Sequence, residues 1–61
     1  MDYKSAINRL RNEFGINLDD PAISDEDVRS ILWDMRVTRS VRKILMWAFR
    51  KYREERGLPV C

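Results

Sequence analysis

Histidine is absent from this chain of 61 residues, and its one cysteine, Cys61, stands last. Without histidine there is no Ser-His or Cys-His pair for nucleophilic catalysis and no zinc constellation. A lone cysteine closes no internal disulfide, and Cys61 is not expected to belong to a prenylation motif, which needs three residues after the cysteine. Glycine is scarce too: Gly15 and Gly57 are the only two, which excludes a glycine-rich loop to cradle phosphate. No apolar run approaches the ~20 residues of a membrane span. The opening Met1-Asp2-Tyr3-Lys4 is not a charged leader followed by an apolar core. These absences lead to the expectation of a cytoplasmic, non-enzymatic protein with no cofactor, no metal and no small-molecule substrate.

What is present suits a small folded domain. A hydrophobic fraction of 44% with 36% charged residues is too apolar for disorder. Residues 1–61 make one domain, which buries only about 60% of the surface its unfolded chain exposes. The fold class expected is all-α, a compact three-helix bundle with helices over about 3–14, 25–35 and 39–56.

The spacing of apolar residues at three and four positions carries that expectation. Tyr3, Ala6, Ile7, Leu10 and Phe14 line one face of the first helix, with Asp2 as its cap and Gly15 as its stop. Asn17 to Ser24 reads as a loop pinned by Leu18 and Ile23. Ser24 caps the second helix, with Asp27 three residues on and Ile23 and Val28 placed as a hydrophobic staple. Val28, Ile31, Leu32 and Met35 give that helix its inward face. Thr38 or Ser40 caps the third helix, and Gly57 and Pro59 end it. Its core face is Val41, Ile44, Leu45, Ala48, Phe49 and Tyr52. The acids Asp19, Asp20, Asp25, Glu26 and Asp27 lack the glycine and terminal glutamate of an EF-hand loop, and helix capping accounts for much of the cluster.

Charge is distributed unevenly. Residues 1–38 carry five cations against eight acids, net −3, whereas residues 39–61 carry seven against two, net +5. On a helical wheel Arg39, Arg42, Lys43, Arg50 and Arg53 fall opposite the apolar face, with Met46 among them. Arginine pairs with phosphate through a planar fork, so these five residues are the candidate nucleic-acid contacts. Trp33 and Trp47 lie outside the apolar arcs. With Met46 they form the candidate protein interface, since exposed aromatics are favoured anchors.

The segments Ile23-Ser24-Asp25-Glu26-Asp27-Val28 and Ser40-Val41-Arg42-Lys43-Ile44-Leu45, followed by Tyr52 and Glu55-Arg56-Gly57-Leu58-Pro59, resemble the SAM-like core-binding domain of tyrosine recombinases and phage integrases. The resemblance covers residues 16–60. It implies contact with the DNA backbone and groove, with Arg42 and Lys43 as the contact candidates. The chain lacks the catalytic domain and its Arg-His-Arg-Tyr set, so only a binding role carries over. A helix-turn-helix arrangement of Val28–Met35 and Ser40–Tyr52 is the neighbouring reading, although its turn has no glycine.

The leading expectation is therefore a nucleic-acid-binding module with duplex DNA as the favoured partner. The alternative is a protein–protein interaction module, either a homodimer or a small inhibitor or adaptor. Binding of the basic helix to a membrane surface ranks third, because the core needs its apolar face.

Overall fold

A computed structural model describes residues 1–58. Among them are three helices and no strand, as the periodicity predicts. Helix α1 spans Tyr3–Asn8 and widens into a π-helical turn over Arg9–Glu13. Helix α2 spans Asp25–Asp34 and α3 spans Arg39–Glu55. The expected stop at Pro59, like Cys61, lies outside the described residues.

The helix starts follow from local chemistry. The Ser5 N–H donates to Asp2 Oδ1 at 2.8 Å. At α2 the capping box closes in both directions, Asp27 N–H to Ser24 Oγ at 3.2 Å and Ser24 N–H to Asp27 Oδ2 at 3.0 Å. Each satisfies a donor that the helix geometry leaves without a partner. Asp25, Glu26 and Asp27 add negative charge beside the positive end of the helix dipole. Thr38 occupies the cap of α3 through its backbone alone, since its side chain makes no capping hydrogen bond.

Two of the three helix ends use a glycine. Gly15 and Gly57 have φ of 65° and 69°, the left-handed conformation that costs glycine no Cβ clash. At α3 the Gly57 N–H then reaches Glu54 O at 3.2 Å and the Leu58 N–H reaches Arg53 O at 2.9 Å. Helix α2 closes the same way without a glycine. Arg36 takes φ of 58°, with its N–H on Trp33 O at 3.0 Å and the Val37 N–H on Leu32 O at 3.1 Å. A side chain in this region costs roughly 1–2 kcal/mol, so the α2–α3 turn is strained at Arg36.

The helices meet around α3, against which both α1 and α2 pack. Phe49, Leu10, Leu18, Leu32, Leu45 and Val28 are its largest fully buried side chains. Leu18 anchors the 15–24 loop in the core as expected, and Ile23 is packed against it. Met35 departs from expectation: it is 53% exposed instead of facing inward. It follows the last residue of α2, where the backbone has already turned out of helical geometry.

Candidate nucleic-acid interface

An open groove of about 670 Å³ runs along α3, with α2 contributing its far wall through Arg29. From α3 it is lined by Arg39, Arg42, Lys43, Arg50 and Lys51, with Met46 and Trp47 between them and Glu54 as the one acid. Among the described residues Arg29, Arg39 and Lys43 form no ion pair. All three are exposed.

The structure corrects two members of the expected stripe. Arg53 is 2% exposed and Met46 is 8% exposed. The buried arc of α3 is rotated by roughly 50° about its axis relative to the wheel expectation, which brings both residues inside. Arg53 places its guanidinium over the Phe49 ring, 4.6 Å from the centroid, and donates through Nη2 to the Asp20 carbonyl of the 15–24 loop. It is a structural cation that closes that loop. Met46 belongs to the core cluster and presents only an edge to the groove, instead of the outward face expected of an interface residue. The same rotation brings Lys51 and Trp47 to the groove, although Lys51 stood outside the expected stripe.

Two further stripe residues have partners within the chain. Arg42 stacks on Trp33, its Cζ 4.7 Å from the ring centroid, and donates through Nη1 to the Val37 carbonyl at 3.3 Å. Arg50 donates through Nε to Asp25 Oδ2 at 2.6 Å. Asp25 is buried, and no hydrogen-bond donor among the described residues reaches its Oδ1. This ion pair spans 25 positions of sequence, so helical periodicity contains no trace of it.

Both tryptophans are exposed as the sequence predicts, Trp33 at 66% and Trp47 at 49%. Trp47 meets Tyr3 edge-on with centroids 5.9 Å apart at 75°, and Lys51 Nζ lies 5.4 Å from its centroid. The Tyr3 hydroxyl donates to Glu55 at 3.4 Å, and burial, ahead of the Glu55 charge, pushes that phenol above its ordinary pKa.

The opposite flank of α3 has a different character. The Tyr52 hydroxyl accepts from Arg11 Nη2 at 2.7 Å and donates to Asp19 Oδ1 at 2.9 Å. Arg11 and Arg56 also lie over the Tyr52 ring, at 5.3 and 4.4 Å. The loop acids act as turn acceptors: Asp20 Oδ1 takes the Ala22 N–H at 2.9 Å. Among the described residues no helix is long and apolar enough to cross a membrane.

Set beside family models, curated proteins and solved structures, the chain matches none.

Proposed function

We propose that this chain is a non-enzymatic nucleic-acid-binding module that holds phosphate in the groove between α2 and α3. The observation that carries the reading is the charge of that groove, six cations from two helices against the single acid Glu54. Clustered like charges repel one another and weaken the folded state; a polyanion removes that repulsion and releases counterions as it binds. Arg29, Arg39 and Lys43 are the phosphate contacts, with Arg50 beside them. The resemblance to recombinase core-binding domains implies the same class of partner. Of its two contact candidates, Lys43 keeps that role and Arg42 is shared with Trp33.

The test is a binding titration across salt concentrations with the parent protein and with Arg29, Arg39 and Lys43 replaced together by glutamine. All three are exposed and outside the core, so melting should not fall and should rise slightly as their mutual repulsion is relieved. Each lost phosphate contact flattens the dependence of log affinity on log salt by about 0.7–0.9. Affinity that falls with an unchanged slope, or a parent that binds no nucleic acid at low salt, overturns the reading.

A second reading is favoured by Trp33, 66% exposed beside Arg29 and Arg42. An open tryptophan flanked by arginines suits an aromatic-anchored protein interface, including a homodimer. A concentration-dependent mass with Trp33 protected from quenching would bring that reading forward.

A further inference from the structure

The groove has tryptophans beside its cations, and their placement bears on which nucleic acid fits. Trp47 lines the groove directly. Trp33 adjoins it through Arg29, which borders both the groove and the depression at Trp33, and through Arg42, which lies on the Trp33 ring. Phosphate-binding cations and open aromatic surface are therefore interleaved along one face.

We propose that the groove's ligand is a single-stranded nucleic acid whose bases stack on Trp33 and Trp47 while its phosphates lie along the α2–α3 cations. The inference rests on the phosphate-binding reading above and specifies its ligand.

Three arguments carry it. Both rings are braced yet open, Trp33 by Arg42 and Trp47 by Tyr3 and Lys51, while 66% of Trp33 and 49% of Trp47 stay exposed. A braced indole is a platform that loses little freedom when a base lands on it. Second, a positively charged groove with aromatic rings beside it is the arrangement that accommodates successive unpaired bases, since every base has a π-face. A duplex keeps those faces inside its own stack and exposes them only by unstacking. Third, the cations on α3 from Arg39 to Lys51 cover roughly 18 Å of helix, a length over which successive phosphates of one strand can be met. An acidic peptide would satisfy the cations but has no regular series of flat π-surfaces for the indoles. This selection of single strands departs from the duplex preference expected from the helix alone.

Trp33 and Trp47 are the chain's only tryptophans, so intrinsic fluorescence reports on both platforms. The full chain is titrated with a short mixed-sequence DNA strand, the RNA strand of the same sequence, the corresponding DNA duplex and poly-glutamate, all at one salt concentration. The expected result is strong quenching by the single strands and affinity at least about tenfold above the duplex and poly-glutamate. Trp33→Ala and Trp47→Ala should each weaken single-strand binding by about five- to hundredfold with the salt slope unchanged. Each variant retains one tryptophan to report on the other site. Phenylalanine at either position keeps a π-face and should restore part of the affinity, which also serves if an alanine variant folds poorly.

Duplex affinity equal to or above that of single strands overturns the inference. So does unaltered affinity in both alanine variants, or binding without quenching, and in these cases the phosphate-binding reading stands. Poly-glutamate binding as tightly as the strands overturns the choice of a nucleic acid. If neither strand nor duplex binds, the phosphate-binding reading itself has failed, and this inference with it.

Discussion

The two flanks of α3 carry the same kinds of residue and use them in opposite ways. On the flank facing α1 and the 15–24 loop, Arg11, Arg53 and Arg56 are drawn onto Tyr52, Phe49 and the Asp20 carbonyl. On the flank facing α2, Arg29, Arg39 and Lys43 line an open groove without an ion pair among the described residues. Counting arginines does not separate a binding surface from a scaffold. Asking where each guanidinium donates does, because an N–H already committed within the chain must be released before it can meet a ligand.

The largest expected effect breaks the closed flank. Phe49 is fully buried and carries the Arg53 guanidinium, so Phe49→Ala should cost about 3–5 kcal/mol, close to the whole stability of a domain this small. Urea denaturation read by circular dichroism should find the variant largely unfolded. A midpoint near the parent's would mean that the flank does not depend on Phe49.

Arg50 sharpens the contrast, since it belongs to both classes. Arg50→Ala leaves the buried Asp25 carboxylate without its counter-ion. Losing one partner of a fully buried pair costs about 3–5 kcal/mol, but the Arg50 side chain is 47% exposed, so about 1–3 kcal/mol is the expected loss. Arg39→Ala, three turns away on the same exposed arc, should change stability by less than about 0.5 kcal/mol. Equal losses for the two variants would dissolve the distinction.

Between the two walls of the groove, the turn at Arg36 should respond in the opposite direction. Arg36→Gly removes the left-handed strain at φ of 58° and should raise stability by about 0.5–1 kcal/mol, after the extra entropy of an unfolded glycine is subtracted. A lower melting temperature would show that the Arg36 side chain compensates its own strain.

The smallest effect is acid sensitivity at the two ends of the first helical segment, Asp2 and Glu13. The Ser5 backbone N–H holds the Asp2 carboxyl below its ordinary range, and the Arg9 hydrogen bond does the same for Glu13. A carboxylate whose folded pKa is depressed contributes stability that is fully present above the unfolded pKa and is lost as pH falls through the folded one. Melting temperature should therefore decline modestly as the pH drops below about 4. Glu13→Gln should flatten part of that decline, and an unchanged profile would count against the Arg9–Glu13 pair.

The parts of this fold legible in the sequence are those set within a few residues. The Ser24 capping box, the glycine stops at Gly15 and Gly57, and the exposed tryptophans all follow from spacing along one helix. What escaped depends on neighbours distant in the chain. Periodicity fixes the angle of a side chain about its helix axis, but not which arc the rest of the protein covers. Residues at the arc's edge, Met46 and Arg53, therefore lie inside where the helical wheel predicts them outside. The π-helical turn at Arg9–Glu13 was invisible for a different reason, since one wider turn leaves the apolar spacing nearly intact. Of the candidate site, Arg39, Lys43 and Arg50 were readable, whereas Arg29 and Lys51 were not, because a groove needs two walls and a single helix shows one.

The hydrogen bond between Arg50 and Asp25 has a consequence that lies in donor arithmetic. A guanidinium has five N–H groups in a rigid fork, and Asp25 takes only the one on Nε. The Nη donors make no hydrogen bond among the described residues, so a phosphate can be met while the link to α2 stays closed. Lysine at position 50 would offer both anions a single nitrogen with three donors, without the two separated edges that a rigid guanidinium fork provides. With arginine there, the link between the helices and any anion on the Nη donors are additive instead of competing.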